Sequence, residues 1–341
     1  ICLTLFVGNS NMNEDISYKS VELKRLFPDV ALGTDIYLKI GKKFIKFKHE
    51  NDVIPSEKVN YFFSKNVSEI FIESSMADAF ETWIESIKKK KEDEFVSEVG
   101  EENRHIVKKR EEIKESVFDA FAKEEITEEM AKRLQEQAQD FVKEVSGKDF
   151  PKAVIAKLTR NSESVAEHSV NVANIAVFIS LLLGFENKTL IRNIFLGAIF
   201  HDYGKSKISE DILIDPTHPR YVQAIESHPE RSVEILKNMK SIPPQVLEMV
   251  LQHHEMFNGK GFPKGLAGNE ISEYSKILAL ANEFDNAIEK GERTPSTYKK
   301  AFKLLEYDKG AKFDPEMLKL IMPGLLKAFD SYEQNTEEDG I

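Results

Sequence analysis

Cysteine is nearly absent: Cys2 is the only one in the 341 residues. That excludes an internal disulfide and a cysteine-built zinc site, and it suits a reducing, cytoplasmic setting. Positive charge is in deficit, with 47 Lys and Arg against 58 Asp and Glu and a net charge of -11. Sequence-independent binding to a nucleic-acid polymer or to an anionic membrane surface needs a basic field, so both are excluded as partners and an anionic ligand has to be attracted locally. The apolar opening run over residues 1–7 is too short to span a bilayer and lacks a basic leader, so a strand is expected there and not a targeting signal. Ile1 in place of Met points to a start lying upstream. No internal repeat or low-complexity segment occurs. What remains, with 41% apolar content, can bury a sizeable core, and two domains are expected.

Residues 1–95 read as a small α+β domain. Residues 35–40 and 44–48 alternate around Gly41, a hairpin pattern, and residues 69–73 give a further strand. Ser56 is a capping residue that opens a short helix to 63, and Phe80, Trp83, Ile84 and Ile87 form the apolar stripe of a helix over 77–95. Residues 96–150 are highly charged, with sparse apolar positions at Ile106, Ile113, Val117, Phe118, Phe121, Met130, Leu134, Phe141 and Val142. They read as two helices linking the domains, with a homodimer contact as a further role. From 151 to 335 the pattern is a succession of helices with short polar breaks, so the fold class is mainly α with a smaller N-terminal α+β domain. A chain starting near Asp149 is therefore expected to fold by itself.

Chemistry concentrates in this second half, where six of the eight histidines lie between His168 and His254. Ile191, Phe195, Ala198 and Asp202 recur at steps of four, three and four, which puts a carboxylate on a core-facing stripe. A buried carboxylate stays ionised only beside a cation, a charged hydrogen-bond partner or a metal. His168 precedes an apolar helix, His201-Asp202 ends the next, His228 sits in Ser227-His228-Pro229-Glu230, and His253-His254 closes a run of apolar residues. Asn282 and Asp285 share the face of a later helix that carries Leu278. Five helices thus offer ligands to one bundle core. Imidazoles with a bridging carboxylate suit a pair of divalent ions, iron foremost and manganese the alternative.

Residues 160–325 resemble the HD-GYP family, the HD-domain metallohydrolases that cleave cyclic di-GMP. The likeness is carried by His201-Asp202-Tyr203-Gly204-Lys205 for HDxGK, by His228-Pro229-Glu230, by residues 253–263 for HHExxDGxGYP, by residues 277–287 for the late ADxxDA helix, and by Lys312-Phe313-Asp314-Pro315. It implies an HD-type bundle with metal ligands His168, His201, Asp202, His228, His253 and His254, and a late ligand at Asn282 or Asp285. Asp202 would bridge the ions and a water between them would attack the phosphodiester. Lys205 would neutralise a phosphoryl oxygen, and Asn258, Gly259, Lys260, Gly261, Phe262 and Pro263 would receive the substrate.

Departures from the pattern modify that expectation. Phe262 replaces the name-giving Tyr, Asn258 an Asp, and Asn282 the first Asp of the late helix. Ser164, beside Glu163, stands where some members carry a Glu that holds a third metal, which favours two ions. The arginine-containing stretch after the late helix is poorly preserved over residues 292–295. The expected activity is weak hydrolysis of cyclic di-GMP, or a related cyclic dinucleotide, to the linear product. The alternative is a metal-containing domain that binds a cyclic dinucleotide or a protein and signals through the N-terminal domain, itself expected to bind a protein partner.

Overall fold

The computed structural model describes residues 16–65, 67–123, 125–160, 164–289 and 293–330. The expected strand at residues 1–7, Cys2, Glu163 and Glu292 lie outside them. The chain divides into two units, Ile1–Glu94 and Phe95–Ile341.

The first unit carries strands β1 (Tyr18–Glu22), β2 (Ile36–Ile40) and β3 (Lys43–Lys48), helix α1 (Ser56–Ser64), strand β4 (Glu69–Glu73) and the start of helix α2 (Ala77–Val99). The sheet order is β1-β4-β2-β3, with antiparallel pairing throughout. Residues Gly41-Lys42 turn the β2–β3 hairpin, whose register pairs Ile40 with Lys43. Val21, Ile36, Ile70 and Ile72 meet Val59 and Phe62 of α1 and Phe80 and Ile84 of α2 in a closed core. Alternation sends the intervening side chains to the other face, where the rings of Tyr18, Tyr37, Phe44 and Phe71 pack at centroid distances of 4.2 to 5.0 Å.

The second unit is all helical among the described residues: α3 (Arg104–Ala122), α4 (Glu128–Val145), α5 (Lys152–Lys157), α6 (Val165–Leu182), α7 (Lys188–Phe200), α8 (Glu210–Leu213), α9 (Tyr221–Leu236), α10 (Pro244–Gln252), α11 (Glu273–Glu289), α12 (Pro295–Tyr307) and α13 (Pro315–Asp330). Helix α6 is buried on all sides and is ringed by α3, α5, α7, α11 and α13. A helix covered by neighbours around its whole circumference has no water-facing side, so it becomes the bundle's axis. Ser164 caps α6 by accepting from the Glu167 N–H, and Asn187 caps α7 by accepting from the N–H groups of Thr189 and Leu190.

Helices α3 and α4 differ from the linker expected over 96–150. Ile106, Val107, Ile113 and Val117 of α3 and Leu134, Phe141, Val142 and Val145 of α4 belong to the same core as α6 and α7. This packing argues against the separate folding expected of a chain starting near Asp149, because removing these helices would strip α6 and α7 of cover. Arg110 of α3 is fully buried within this core, paired with Glu167 of α6 and donating to Asn171 Oδ1 (3.1 Å) and the Leu158 carbonyl (3.0 Å).

Candidate metal centre

Asp202 occupies the turn after α7, only 4% exposed, and each of its carboxylate oxygens faces a different set of histidines. Oδ1 lies 3.0 Å from His228 Nε2 and 3.7 Å from His253 Nε2; Oδ2 lies 3.4 Å from His201 Nε2 and 4.0 Å from His168 Nε2. Two ligand groups result, one of Asp202, His228, His253 and His254 and one of His168, His201 and Asp202, with the carboxylate shared.

The local structure fixes which nitrogen each ring presents. His201 follows the last residue of α7 and His253 the last of α10, where carbonyls have no helical donor, and their Nδ1 atoms donate to the Ala198 and Val250 carbonyls, each at 2.7 Å. His228 lies inside α9, but Pro229 has no N–H to give the Ile225 carbonyl four residues back, so His228 Nδ1 takes it. A carbonyl only accepts, so each Nδ1 carries the proton and each Nε2 presents a lone pair. His168 Nδ1 instead donates to Asp285 Oδ2 of α11 at 2.8 Å.

The polar atoms left over match a cation. His201 Nε2, Asp202 Oδ1 and His254 Nε2 are buried with no hydrogen-bond partner among the described residues. His228 Nε2 and His253 Nε2 face each other at 3.2 Å, two lone pairs beside a carboxylate. Burial lowers the pKa of His201, His253 and His254, the last well below the usual histidine range, so these rings cannot cancel the repulsion by taking up protons at neutral pH. Burial would raise Asp202, but its interactions with His201 and with the Lys205 ammonium outweigh it and hold the carboxyl well below the usual range. Buried neutral imidazoles converging on an ionised carboxylate can hold divalent metal.

Lys205 Nζ lies 2.8 Å from Asp202 Oδ2, with its side chain 29% exposed. Gly204 brings this turn onto α9: its N–H donates to Ser232 Oγ (2.7 Å), and a Cβ there would meet the His228 carbonyl at 2.2 Å. The loop after His254 is folded by bonds within itself, from backbone N–H groups to side-chain and carbonyl oxygens. Glu255 accepts from the N–H groups of Lys264 and Leu266, Asn258 Oδ1 accepts from the Lys260 N–H, and Phe262 N–H donates to the His254 carbonyl. Gly261 passes so close to His254–Met256 that a Cβ would meet Met256 N at 2.3 Å and the His254 carbonyl at 2.4 Å. Phe262 stacks on the His254 ring at 4.6 Å and 24°, which puts Gly259, Pro263 and the exposed Asn258 and Lys260 on the loop bordering the histidines.

The late helix departs from the expected ligand pattern. Asn282 is buried and its Oδ1 accepts from Asn286 at 3.1 Å. Asp285 is fully buried, with Oδ2 on His168 and Oδ1 paired with Arg293. Arg293, in the stretch that reads as poorly preserved, and the buried Arg110–Glu167 pair beside His168 are not apparent from sequence spacing. The expected third-metal position is taken by a helix cap, Ser164.

Residues 152–317 match the family model described as HD domain. The chain is similar to a cyclic di-GMP phosphodiesterase of Thermotoga maritima, 28% identical over 157 residues that make up 45% of this chain and 43% of that protein. It is also similar to the 3'3'-cGAMP-specific phosphodiesterase 3 of Vibrio cholerae, 30% identical over 193 residues, 54% of this chain and 40% of that one. The matches thus span less than half the length of these relatives. Among solved structures, Bd1817, an HDG"Y"P protein from Bdellovibrio bacteriovorus, shares the fold with a TM-score of 0.60 at 20% identity, covering 89% of this chain and 98% of that one. The helices around Asp202, over residues 152–317, therefore form an HD domain. Within that family the chain's motifs resemble those of the HD-GYP group.

Proposed function

We propose that the chain is a metal-dependent phosphodiesterase that opens cyclic di-GMP, or a closely related cyclic dinucleotide, to the linear dinucleotide, with slow turnover. The observation that carries this reading is the carboxylate of Asp202, shared between two sets of buried imidazoles. Two divalent ions, iron foremost and manganese the alternative, would be held by His168, His201, Asp202, His228, His253 and His254. When bound, they supply Lewis acidity for the phosphoryl oxygens and a hydroxide equivalent at neutral pH.

This chain's residues would supply the rest. Lys205 sits beside Asp202 and is partly exposed, so it can pair with a phosphoryl oxygen as a point charge. Lys260 gives the loop a second cation, and the Phe262 ring, held flat on His254, offers an apolar face to a purine. Similarity to phosphodiesterases named for cyclic di-GMP and for 3'3'-cGAMP supports the substrate class. The first unit would bind a protein partner, and the protein would work in the cytoplasm.

A second reading, a binding module with little turnover, is favoured by the late helix: Asn282 is neutral, and both oxygens of Asp285 are engaged elsewhere. Anaerobic incubation with cyclic di-GMP and with 3'3'-cGAMP, under iron- or manganese-replete conditions, separates the readings by chromatography of the products. Slow release of the linear dinucleotide is expected, faster in Asn282→Asp. Ligand binding at full metal load with no cleavage by the parent, Asn282→Asp or Phe262→Tyr would establish the binding module.

A further inference from the structure

The two halves of the centre are held by different means. His201, His228 and His253 are each fixed by a carbonyl three residues back in their own segment, so their orientation is local. His168 is fixed from 117 residues away, by Asp285. The other oxygen of Asp285 is paired with Arg293, whose Nε donates to the Arg160 carbonyl ahead of α6. Asn171 holds that same residue, accepting from its N–H at 2.9 Å and donating to its carbonyl at 2.7 Å, and it accepts from the buried Arg110. A chain of contacts through α3, α6 and α11 thus ends on one imidazole.

We propose that Asp285 and Arg293 are positioning residues that act through His168, and that they make the two metal positions unequal. In the position at His228, His253 and His254, backbone holds the first two rings and Phe262 stacks on the third; the position at His168 and His201 depends on this clamp through His168. Asp285 then acts on the metal through His168 and not as a ligand, its two oxygens facing His168 and Arg293. The inference rests on the two-metal reading and says which ion leaves first.

The test uses the full chain, loaded anaerobically with manganese and dialysed against graded chelator, with metal counted by elemental analysis and followed by electron paramagnetic resonance. The parent is expected to hold two ions with an exchange-coupled spectrum. Arg293→Gln and Asp285→Asn should lose one ion at a chelator concentration lower by about 10- to 100-fold, the usual effect of removing a partner that orients a metal-bound histidine. The remaining ion should give an uncoupled spectrum. Arg293→Lys keeps the charge but not the fork that spans Asp285 and the Arg160 carbonyl. It should fall between parent and Arg293→Gln, and it serves as the readout if Arg293→Gln does not fold. Two ions held at parental affinity in every folded variant would overturn the inference alone. A parent that binds no more metal than Asp202→Ala would overturn the two-metal reading and the inference with it.

Discussion

Pro229 shows how a single residue can serve a site without touching it. By withholding an N–H it leaves the Ile225 carbonyl to His228 Nδ1. Pro229→Ala would restore a helical donor in competition with the ring. Interior proline costs a helix about 3 kcal/mol relative to alanine, so the metal-free variant should melt at a higher temperature than the parent. Its metal affinity should nevertheless fall about 10-fold or more as the ring loses its anchor. Calorimetry and metal titration on one sample check both signs. Gly261→Ala should lower stability by about 1–3 kcal/mol, because the new Cβ meets backbone that cannot swing aside; a thermal melt checks it. At Glu111, burial pushes the carboxyl up, but the charges of Arg110 and Lys114 overcome it and bring it to about 2 from 4.5. Its contribution to stability is therefore complete above the unfolded value of 4.5 and is lost as pH falls towards about 2. Urea titrations at pH 5 and pH 3 should show a smaller acid loss in Glu111→Gln than in the parent. The histidines and Asp202 were legible because each stands in a short motif on a periodic stripe. The Asp285–His168 contact was not, because its partners are 117 residues apart and each also reads as a ligand by itself.

At the scale of elements, the hairpin of β2 and β3, strand β4 and helices α1 and α2 follow directly from alternation and capping. Strand β1 did not show in the pattern: of its five residues only Val21 is buried, too little alternation to mark a strand. Helices α3 and α4 were legible as helices but not as core. Their buried faces are built partly from Ala120, Ala131 and Ala138, and one carries Arg110, so apolar periodicity understates how much they bury. A chain starting at Asp149 should aggregate, whereas one starting at Phe95 should give soluble, helical protein, as yield and circular dichroism will show. Arg110→Met should cost about 3–5 kcal/mol, because Glu167 is left as a buried charge without its main partner.

For the molecule as a whole, helix α6 sets the order in which the parts must come together. Its 18 residues have a mean hydropathy of 1.5, enough for a membrane span by composition, and 89% of that window is buried in the fold. Helix α7 follows almost at once in sequence and can cover one side of α6 as soon as both exist. The side that packs on α11 has to wait for about another hundred residues of chain, at a synthesis rate of roughly 5–20 residues per second. For several seconds, then, a newborn chain carries a greasy rod with its α11 side uncovered, open to chaperones, to other chains and to the membrane-insertion machinery. Damage to α11 prolongs that interval, so such variants will be lost to aggregation during synthesis before any weakness in their catalysis can be seen.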